Sequence, residues 1–368
     1  MRVCIVTPFL NEYPNAMASA EKMAQALSQV HQVTVYTSCT YQAARHEQLE
    51  QVTIERLPAW YIPEPANYVF TRGLVRSLWR RRDDFDIYII NKYMWPMAWT
   101  IIPLKLWGKK VIVTTDAFQG FDWWSWSRLV NAVMWLYAHT IGTIILHLAN
   151  QVVLYHEGLE ARARALGLRY QVIHNGIDPS QFLQAQPATD IIKQPDEVVI
   201  TYIGRLDRIK GYLDVLTVAQ RVCRQSTTIR FLIVGNTAGR AAIVQQYQSD
   251  RIQFTGVRQD IPNILAASDI VVLPTYGDGL PNVIMEAMAA GRPCIASNIN
   301  GLPYLIDHER TGLLLEPGDL NLLEHHIMRL VEQPALRQQY GQAGREKILE
   351  QFNWQKLVKQ YTLLFTSL

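Results

Sequence analysis

The 368-residue chain is poor in cysteine, in charge and in the glycine signatures of cofactor enzymes. Its four cysteines (Cys4, Cys39, Cys223 and Cys294) are scattered, with no C-x-x-C pair. That spacing points to neither a zinc site nor a redox pair, and fits free, buried thiols in a reducing cytosol. Charged residues make up 18% of the chain and the formal net charge is only +3, so the composition does not suggest a nucleic-acid partner. No G-x-G-x-x-G follows the first strand pattern, and no P-loop lysine motif occurs, which argues against dinucleotide and P-loop chemistry. There is no internal repeat and no low-complexity segment. The opening MRVCIVTPFL enters a strand-like run at once, without the basic start and apolar core of a secretory leader.

What is present is a long alternation of β-rich and helical stretches. With 49% hydrophobic residues, a chain of this length can bury two cores of ordinary size. Strand candidates in the first half are Val3–Thr7, Val33–Thr37, Ile87–Asn91, Val111–Thr114 and Val152–Tyr155. In the second half they are Val198–Ile203, Arg230–Val234, Ile252–Thr255, Ile270–Leu273 and Cys294–Ala296. Many are apolar throughout, as strands covered on both faces should be, so the pattern predicts parallel sheets wrapped by helices. The proline-rich, polar stretch Asp178–Glu197 reads as a linker. The expected α/β architecture is two doubly wound domains facing each other across a cleft, residues 1–180 and 196–350, with a helix over 351–368 packing back towards the first domain.

The stretch YGDGLPNVIMEAMAAG (Tyr276–Gly291) reads as the end of a strand, a glycine loop and a helix. Pro281 suits the first helical turn, Gly291 the residue just past the helix, and Pro293 blocks its continuation. The N–H groups of Gly279, Leu280 and Asn282, together with the helix dipole, would then form an anion site. The acids cannot bind phosphate but can accept hydrogen bonds from hydroxyls. A nucleotide sugar presents both kinds of group, so Glu286 would hold a ribose diol and Asp278 the hydroxyls of a transferred sugar. Taken alone, Glu286 would read as a solvated acid near a helix start; the loop, proline and terminating glycine together point to a ligand.

A second motif, YIGRLDRIKG (Tyr202–Gly211), also follows a strand. Arg205 at the strand end and Lys210 five residues on can converge on a pyrophosphate and offset charge as a bond to it breaks. A surface turn with solvated bases is the alternative. With GRLDRIKG and DGLPNVIMEAMA in place, the chain resembles the retaining glycosyltransferases of family 4, whose motifs are G-R-L-x-x-x-K-G and E-G-x-P-x-x-x-x-E-A-[ML]-A. VIHNGID (Val172–Asp178), GVRQDIPNILAASDIVVLPT and RTGLLLEPGD extend the resemblance to nearly the whole chain. It implies the GT-B fold, with two Rossmann-like domains, and transfer of a hexosyl or N-acetylhexosaminyl group. It also implies a UDP- or GDP-sugar donor on the second domain, with Gly204, Arg205 and Lys210 at the diphosphate and Asp278, Gly279, Leu280, Pro281, Asn282 and Glu286 completing the site. No metal cofactor is expected, because Arg205, Lys210 and the helix N-terminus already supply positive potential.

The chain departs from the family pattern at three places. Asp278 replaces a glutamate. FLNEYPNAMASAEK (Phe9–Lys22) lacks paired glycines, with Ala16, Ala18 and Ser19 as the nearest small residues. Thr115 stands in VIVTTDAF where many members carry a histidine. Asp116 remains as a candidate catalytic residue touching the sugar or the incoming hydroxyl, or as a simple cap.

On the acceptor side, FTRGLVRSLWRRR (Phe70–Arg82) reads as an amphipathic helix with Arg72, Arg76 and Arg80 on one face, suited to an anionic membrane. Trp123–Trp126 and Asn91–Trp99 are rich in tryptophan, as membrane interfaces are. The run Leu129–Leu148 is either a buried helix or a membrane-facing one. These features fit a lipid or lipid-linked saccharide acceptor, as in polysaccharide or glycolipid synthesis, or a large aromatic sugar-binding surface. They place the chain in the cytoplasm, attached peripherally to the inner membrane face. The competing readings are a non-hydrolysing sugar-nucleotide epimerase and a non-catalytic nucleotide-sugar-binding protein.

Overall fold

A computed structural model of the chain describes residues 1–10, 18–39, 45–62, 68–121 and 127–368. The chain forms two compact units, Met1–Gly176 with Trp354–Leu368, and Ile177–Asn353. In the first, the described strands are β1 (Arg2–Val6), β2 (Gln32–Cys39), β3 (Arg45–Leu49), β4 (Val52–Ile62), β5 (Tyr68–Thr71), β6 (Ile87–Asn91), β7 (Lys110–Thr115), β8 (Gln151–Leu154) and β9 (Tyr170–Val172). They run in the order β3-β4-β2-β1-β6-β7-β8-β9, with β5 paired to β4. All neighbouring pairs are parallel except β3 and β5, which lie antiparallel to β4.

Side-chain alternation along β1 sends Val3 and Ile5 to one face and Cys4 and Val6 to the other. The first face is covered by the helices Ala18–Ser28 and Trp354–Ser367, the latter through Trp354, Leu357, Tyr361 and Phe365. The second face receives Leu74, Met97, Ile101, Met134, Ala138, Ile145 and Leu146 from the intervening helices. The C-terminal helix is thus part of the first unit's core.

The second unit holds β10 (Val198–Ile203), β11 (Ile229–Val234), β12 (Ile252–Gly256), β13 (Ile270–Leu273), β14 (Cys294–Ser297) and β15 (Gly312–Leu315), in the order β12-β11-β10-β13-β14-β15. Every pair is parallel. Strand order reverses between β10 and β13, the arrangement of doubly wound nucleotide-binding sheets. In the first unit the reversal falls between β1 and β6.

Two expectations need correction. The stretch read as a linker, Asp178–Glu197, is packed into the second unit: Ala188 and Ile191 are buried against Val199, Leu232 and Ile264. Ala188 N donates to Asn263 O at 3.1 Å, and Lys193 pairs with Asp269 at 2.6 Å. Its few apolar residues join Ile264 and Ala267 on one sheet face, a signal that the prolines around them hid. The amphipathic helix read over Phe70–Arg82 is only Leu74–Arg80. Phe70 belongs to β5, and Gly73 at φ 76° breaks the chain direction, so Arg72 lies outside the helix and sits over the Trp60 ring at 5.2 Å.

Candidate active site

In the second unit the loops after β10 and β13 leave the carboxyl ends of the two strands that flank the reversal, where open parallel sheets bind ligands. The first loop is pinned from below. Gly204 N donates to Val234 O at 3.0 Å, and the buried Tyr202 hydroxyl donates to Arg205 O at 2.8 Å. Asp207 caps the short 3-10 turn Arg208–Lys210 by accepting from Lys210 N at 3.1 Å. Gly211 then adopts φ 71°, and a Cβ on it would run into the Pro274 carbonyl. Only glycine lets the two loops approach this closely. Tyr276 N and Thr275 Oγ1 both donate to Ile209 O, at 2.7 and 2.8 Å, and lock the contact.

The consequence is a meeting of two residues 68 positions apart: Lys210 Nζ lies 2.5 Å from Asp278 Oδ2, with side chains 19% and 20% exposed. Arg205 is exposed and pairs with Asp207 at 3.1 Å. The helix that follows is Asn282–Ala289. Pro281 is its N-cap, extended at ψ 124°, rather than a residue of the first turn, because its carbonyl is the first helical acceptor, taking Ile284 N at 3.2 Å. The N–H groups at the start of this helix that have no intrahelical acceptor are therefore those of Asn282 and Val283. Leu280 is buried in the core and anchors the loop, while the Gly279 carbonyl accepts Gly301 N at 3.0 Å. Glu286 is half-buried, one helical repeat from Asn282 and so on the same face. Gly291 ends the helix at φ 70°, and Arg345 donates to the carbonyls of Ala289 and Ala290 at 3.1 and 2.9 Å. Gly204, Arg205, Lys210, Asp278, Gly279, Leu280, Pro281, Asn282 and Glu286 thus all come from two touching loops and one helix.

Asp116 lies in the first unit, immediately after β7. Lys92 Nζ donates to its Oδ2 at 2.8 Å. Burial alone would raise the Asp116 pKa, but the Lys92 charge and hydrogen bond outweigh it and hold the carboxyl below its ordinary value. Lys92 follows β6 in the left-handed conformation at φ 70°. His156, just past β8, places Nε2 3.2 Å from the Asp116 carbonyl, and burial pushes its imidazole below the ordinary pKa, leaving it neutral at pH 7. Reasoning from sequence missed Lys92 and His156. The signal was position: each directly follows an apolar strand of the parallel sheet. Thr115 turns its hydroxyl back onto the Ala117 carbonyl at 2.7 Å.

The helical stretch Arg128–Leu148 is long and apolar enough to span a membrane, and its most apolar window is only 28% buried. Met134, Ala138, Ile145 and Leu146 face the core, while Leu129, Val133, Trp135, Leu136 and Ile144 are exposed. A π-turn at Ala138–Gly142 interrupts it, where Gly142 closes on the Tyr93 ring. The tryptophans at 123–126 lie outside the described residues. Among the described residues no group of three or more His, Cys, Asp or Glu side chains gathers as a metal site.

Comparison with known proteins agrees with this architecture. Residues 17–176 match the model of the glycosyl transferase 4-like domain, and residues 197–333 that of glycosyl transferases group 1. The chain belongs to the group 1, family 4 type of glycosyltransferase and has the GT-B fold. Among curated relatives, it is 32% identical over 213 residues, 55% of each chain, to the UDP-Gal:alpha-D-GlcNAc-diphosphoundecaprenol alpha-1,3-galactosyltransferase of Escherichia coli. It is 26% identical over 85% of its length, and 82% of the relative's, to an uncharacterized glycosyltransferase of Methanocaldococcus jannaschii. The match to the E. coli enzyme spans about half of its length. Among solved structures, a sucrose-phosphate synthase from Thermosynechococcus elongatus superposes with a TM-score of 0.82 at 22% identity, covering 100% of this chain and 98% of its own. Anabaena HepE, solved with UDP-glucose, superposes at 0.77 with 16% identity over 100% of both chains.

Proposed function

We propose that the chain is a retaining glycosyltransferase that moves a sugar from a nucleoside diphosphate donor to a lipid or lipid-linked saccharide at a membrane surface. The observation that carries the donor half is the pairing of Lys210 with Asp278 where the sheet order reverses. On this reading Lys210, Arg205 and the N–H groups of Asn282 and Val283 take the diphosphate. Glu286 accepts from the ribose hydroxyls. Asp278, exchanged by Lys210 for phosphate, accepts from the sugar. The acceptor oxygen bonds to the anomeric carbon as the bond from that carbon to the diphosphate oxygen breaks, and the acceptor's proton leaves with the nucleoside diphosphate. Positive charge fixed at the departing oxygen lowers the barrier without rearrangement. No metal is then required. The UDP-glucose bound by HepE favours a UDP-sugar as the first donor to try.

The acceptor half rests on the exposed apolar stripe of Arg128–Leu148 and on Arg76, Arg80 and Trp79, exposed on the helix Leu74–Arg80. A helix with one face in the core and the other apolar and exposed fits the plane of a bilayer interface better than a span. The undecaprenol-linked acceptor named for the E. coli relative is in keeping with this. The test is a panel of nucleotide sugars assayed for binding and slow hydrolysis with chelator present, followed by transfer to lipid-linked and water-soluble acceptors. Efficient transfer to a soluble acceptor, with no affinity for anionic vesicles at low salt, would leave only the donor half. Strict loss of activity in chelator would contradict the metal-independent mechanism.

A further inference from the structure

We propose that Lys92 is a positioning residue for the acceptor half of the reaction: it holds the Asp116 carboxylate in place to accept a hydrogen bond from the hydroxyl that receives the sugar. The inference rests on the transfer reading above. Its first support is location. Lys92 follows β6, one of the two strands at which the first sheet reverses order, and Asp116 follows the adjacent β7. Both therefore stand at the carboxyl ends of strands, where this kind of sheet places its ligands.

The second support is the backbone. A side chain at φ 70° is held in a conformation that glycine or asparagine adopts more readily, and such outliers concentrate where function demands them. Here the conformation is fixed by Lys92 N donating to Thr114 O at 2.9 Å. Beneath it, Thr114 Oγ1 donates to Asn91 Oδ1 at 3.0 Å, and Asn91 Nδ2 to Thr7 Oγ1 at 3.2 Å, a buried polar chain across β7, β6 and the end of β1. The chain sets the direction from which Lys92 reaches Asp116.

The third support is chemistry. A partly buried ion pair is a weak stabiliser, because each charge loses hydration, so stability alone is a poor reason to keep one on a strained backbone. The Asp116 side chain is still 22% exposed, which leaves the carboxylate reachable by a hydroxyl. Among the described residues, the titratable groups around it are Lys92 after β6 and Tyr155 and His156 after β8. His156 is neutral at pH 7 and Tyr155 is pushed upward by burial, so among the described residues Lys92 contributes most to holding the Asp116 carboxyl below its ordinary value. The Thr115 hydroxyl is committed to the Ala117 carbonyl, which leaves the recognition of the incoming hydroxyl to the carboxylate.

The experiment compares wild type, Lys92→Met and Lys92→Arg for the pH dependence of transfer at saturating donor, alongside calorimetric binding of the nucleoside diphosphate. Lys92→Met is expected to lower kcat at neutral pH by about tenfold or more, the scale of one lost hydrogen bond to a charged group. It should also move the acid limb of the kcat profile to higher pH, because burial of Asp116 is no longer offset. Lys92→Arg should restore the acid limb. Nucleoside diphosphate affinity should not change in either variant. A Lys92→Met enzyme that is less stable but keeps the wild-type pH profile would overturn the proposal and leave Lys92 a structural residue. Failure of the wild type to bind any nucleoside diphosphate is a separate result, and strikes the donor-site reading instead.

Discussion

In the second unit a lysine meets an aspartate across the loops after β10 and β13; in the first, a lysine meets an aspartate across the loops after β6 and β7. The distances are similar, 2.5 and 2.8 Å, and the backbones differ. Beside Lys210 the left-handed position is taken by Gly211, which the close approach of Pro274 demands. In the first unit the lysine itself takes that conformation, with no glycine to relieve it. The surfaces differ too. The exposed apolar residues of the second unit are scattered, Leu183, Ile192, Val257 and Tyr304 among them, whereas in the first unit five (Leu129, Val133, Trp135, Leu136 and Ile144) share the one helical stretch Arg128–Leu148, and others, such as Trp60, Val75 and Trp99, lie apart from it. One unit joins two loops through backbone contacts at Gly211, Pro274 and Ile209. The other combines a polar cluster with an exposed apolar helix face.

The comparison breaks most visibly at the donor loops. Lys210→Ala should lower transfer by about 10²–10³-fold, the scale for losing one charge-stabilising donor in a transition state. Steady-state rates would check it, and the effect of Arg205→Ala, an exposed residue, should be smaller. Replacing Leu129 by Ser should weaken binding to vesicles by roughly 10–100-fold, since a leucine fully buried in lipid contributes about 1.5–3 kcal/mol. That loss should persist at high salt, whereas the contribution of Arg76 and Arg80, about 1 kcal/mol each near an anionic surface, should be screened. Sedimentation with anionic vesicles at two ionic strengths separates the two. Gly211→Ala should destabilise the second unit by about 1–3 kcal/mol through overpacking against the Pro274 carbonyl, and reduce nucleotide affinity while leaving vesicle binding intact.

The smallest expected effect is on stability against pH. Because the Asp116 pKa is depressed in the folded chain, its contribution is fully present above the unfolded value of about 3.9 and is lost as pH falls through the lower folded value. In Lys92→Met the uncompensated buried carboxyl should titrate above its unfolded value instead, so the sign reverses and the variant gains stability as pH falls through the raised folded value. Thermal unfolding between neutral pH and pH 3 would reveal the difference.

Much of this was legible in the sequence because the strands of a parallel sheet are apolar throughout. Ile87–Asn91, Val198–Ile203 and Ile270–Leu273 stand where their composition puts them. The loops after β10 and β13 were legible because glycine and proline mark backbone geometry. The strands β3, β5 and β9 were not, being short or polar; β4 was missed because its alternation reads as a half-exposed strand outside a doubly wound pattern. The pairing of Lys92 with Asp116 was also hidden. Nothing in NKYMWP marks a left-handed lysine, and the partner lies 24 residues away, just past the next strand. Nor could periodicity decide which face of Leu129–Leu148 meets the core; that depended on where Tyr93 and the first sheet come to lie.

The central claim is that the loops after β10 and β13 form a nucleoside diphosphate site separate from the apolar surface of the first unit. Calorimetry of UDP, GDP and ADP binding to the full chain in chelator, for wild type and Lys210→Ala, tests it most directly. The account predicts that one of the three binds the wild type, that Lys210→Ala weakens it at least about tenfold, as losing a charged hydrogen-bond partner should, and that saturating anionic vesicles leave both values unchanged. Equal affinity in the two proteins would contradict it.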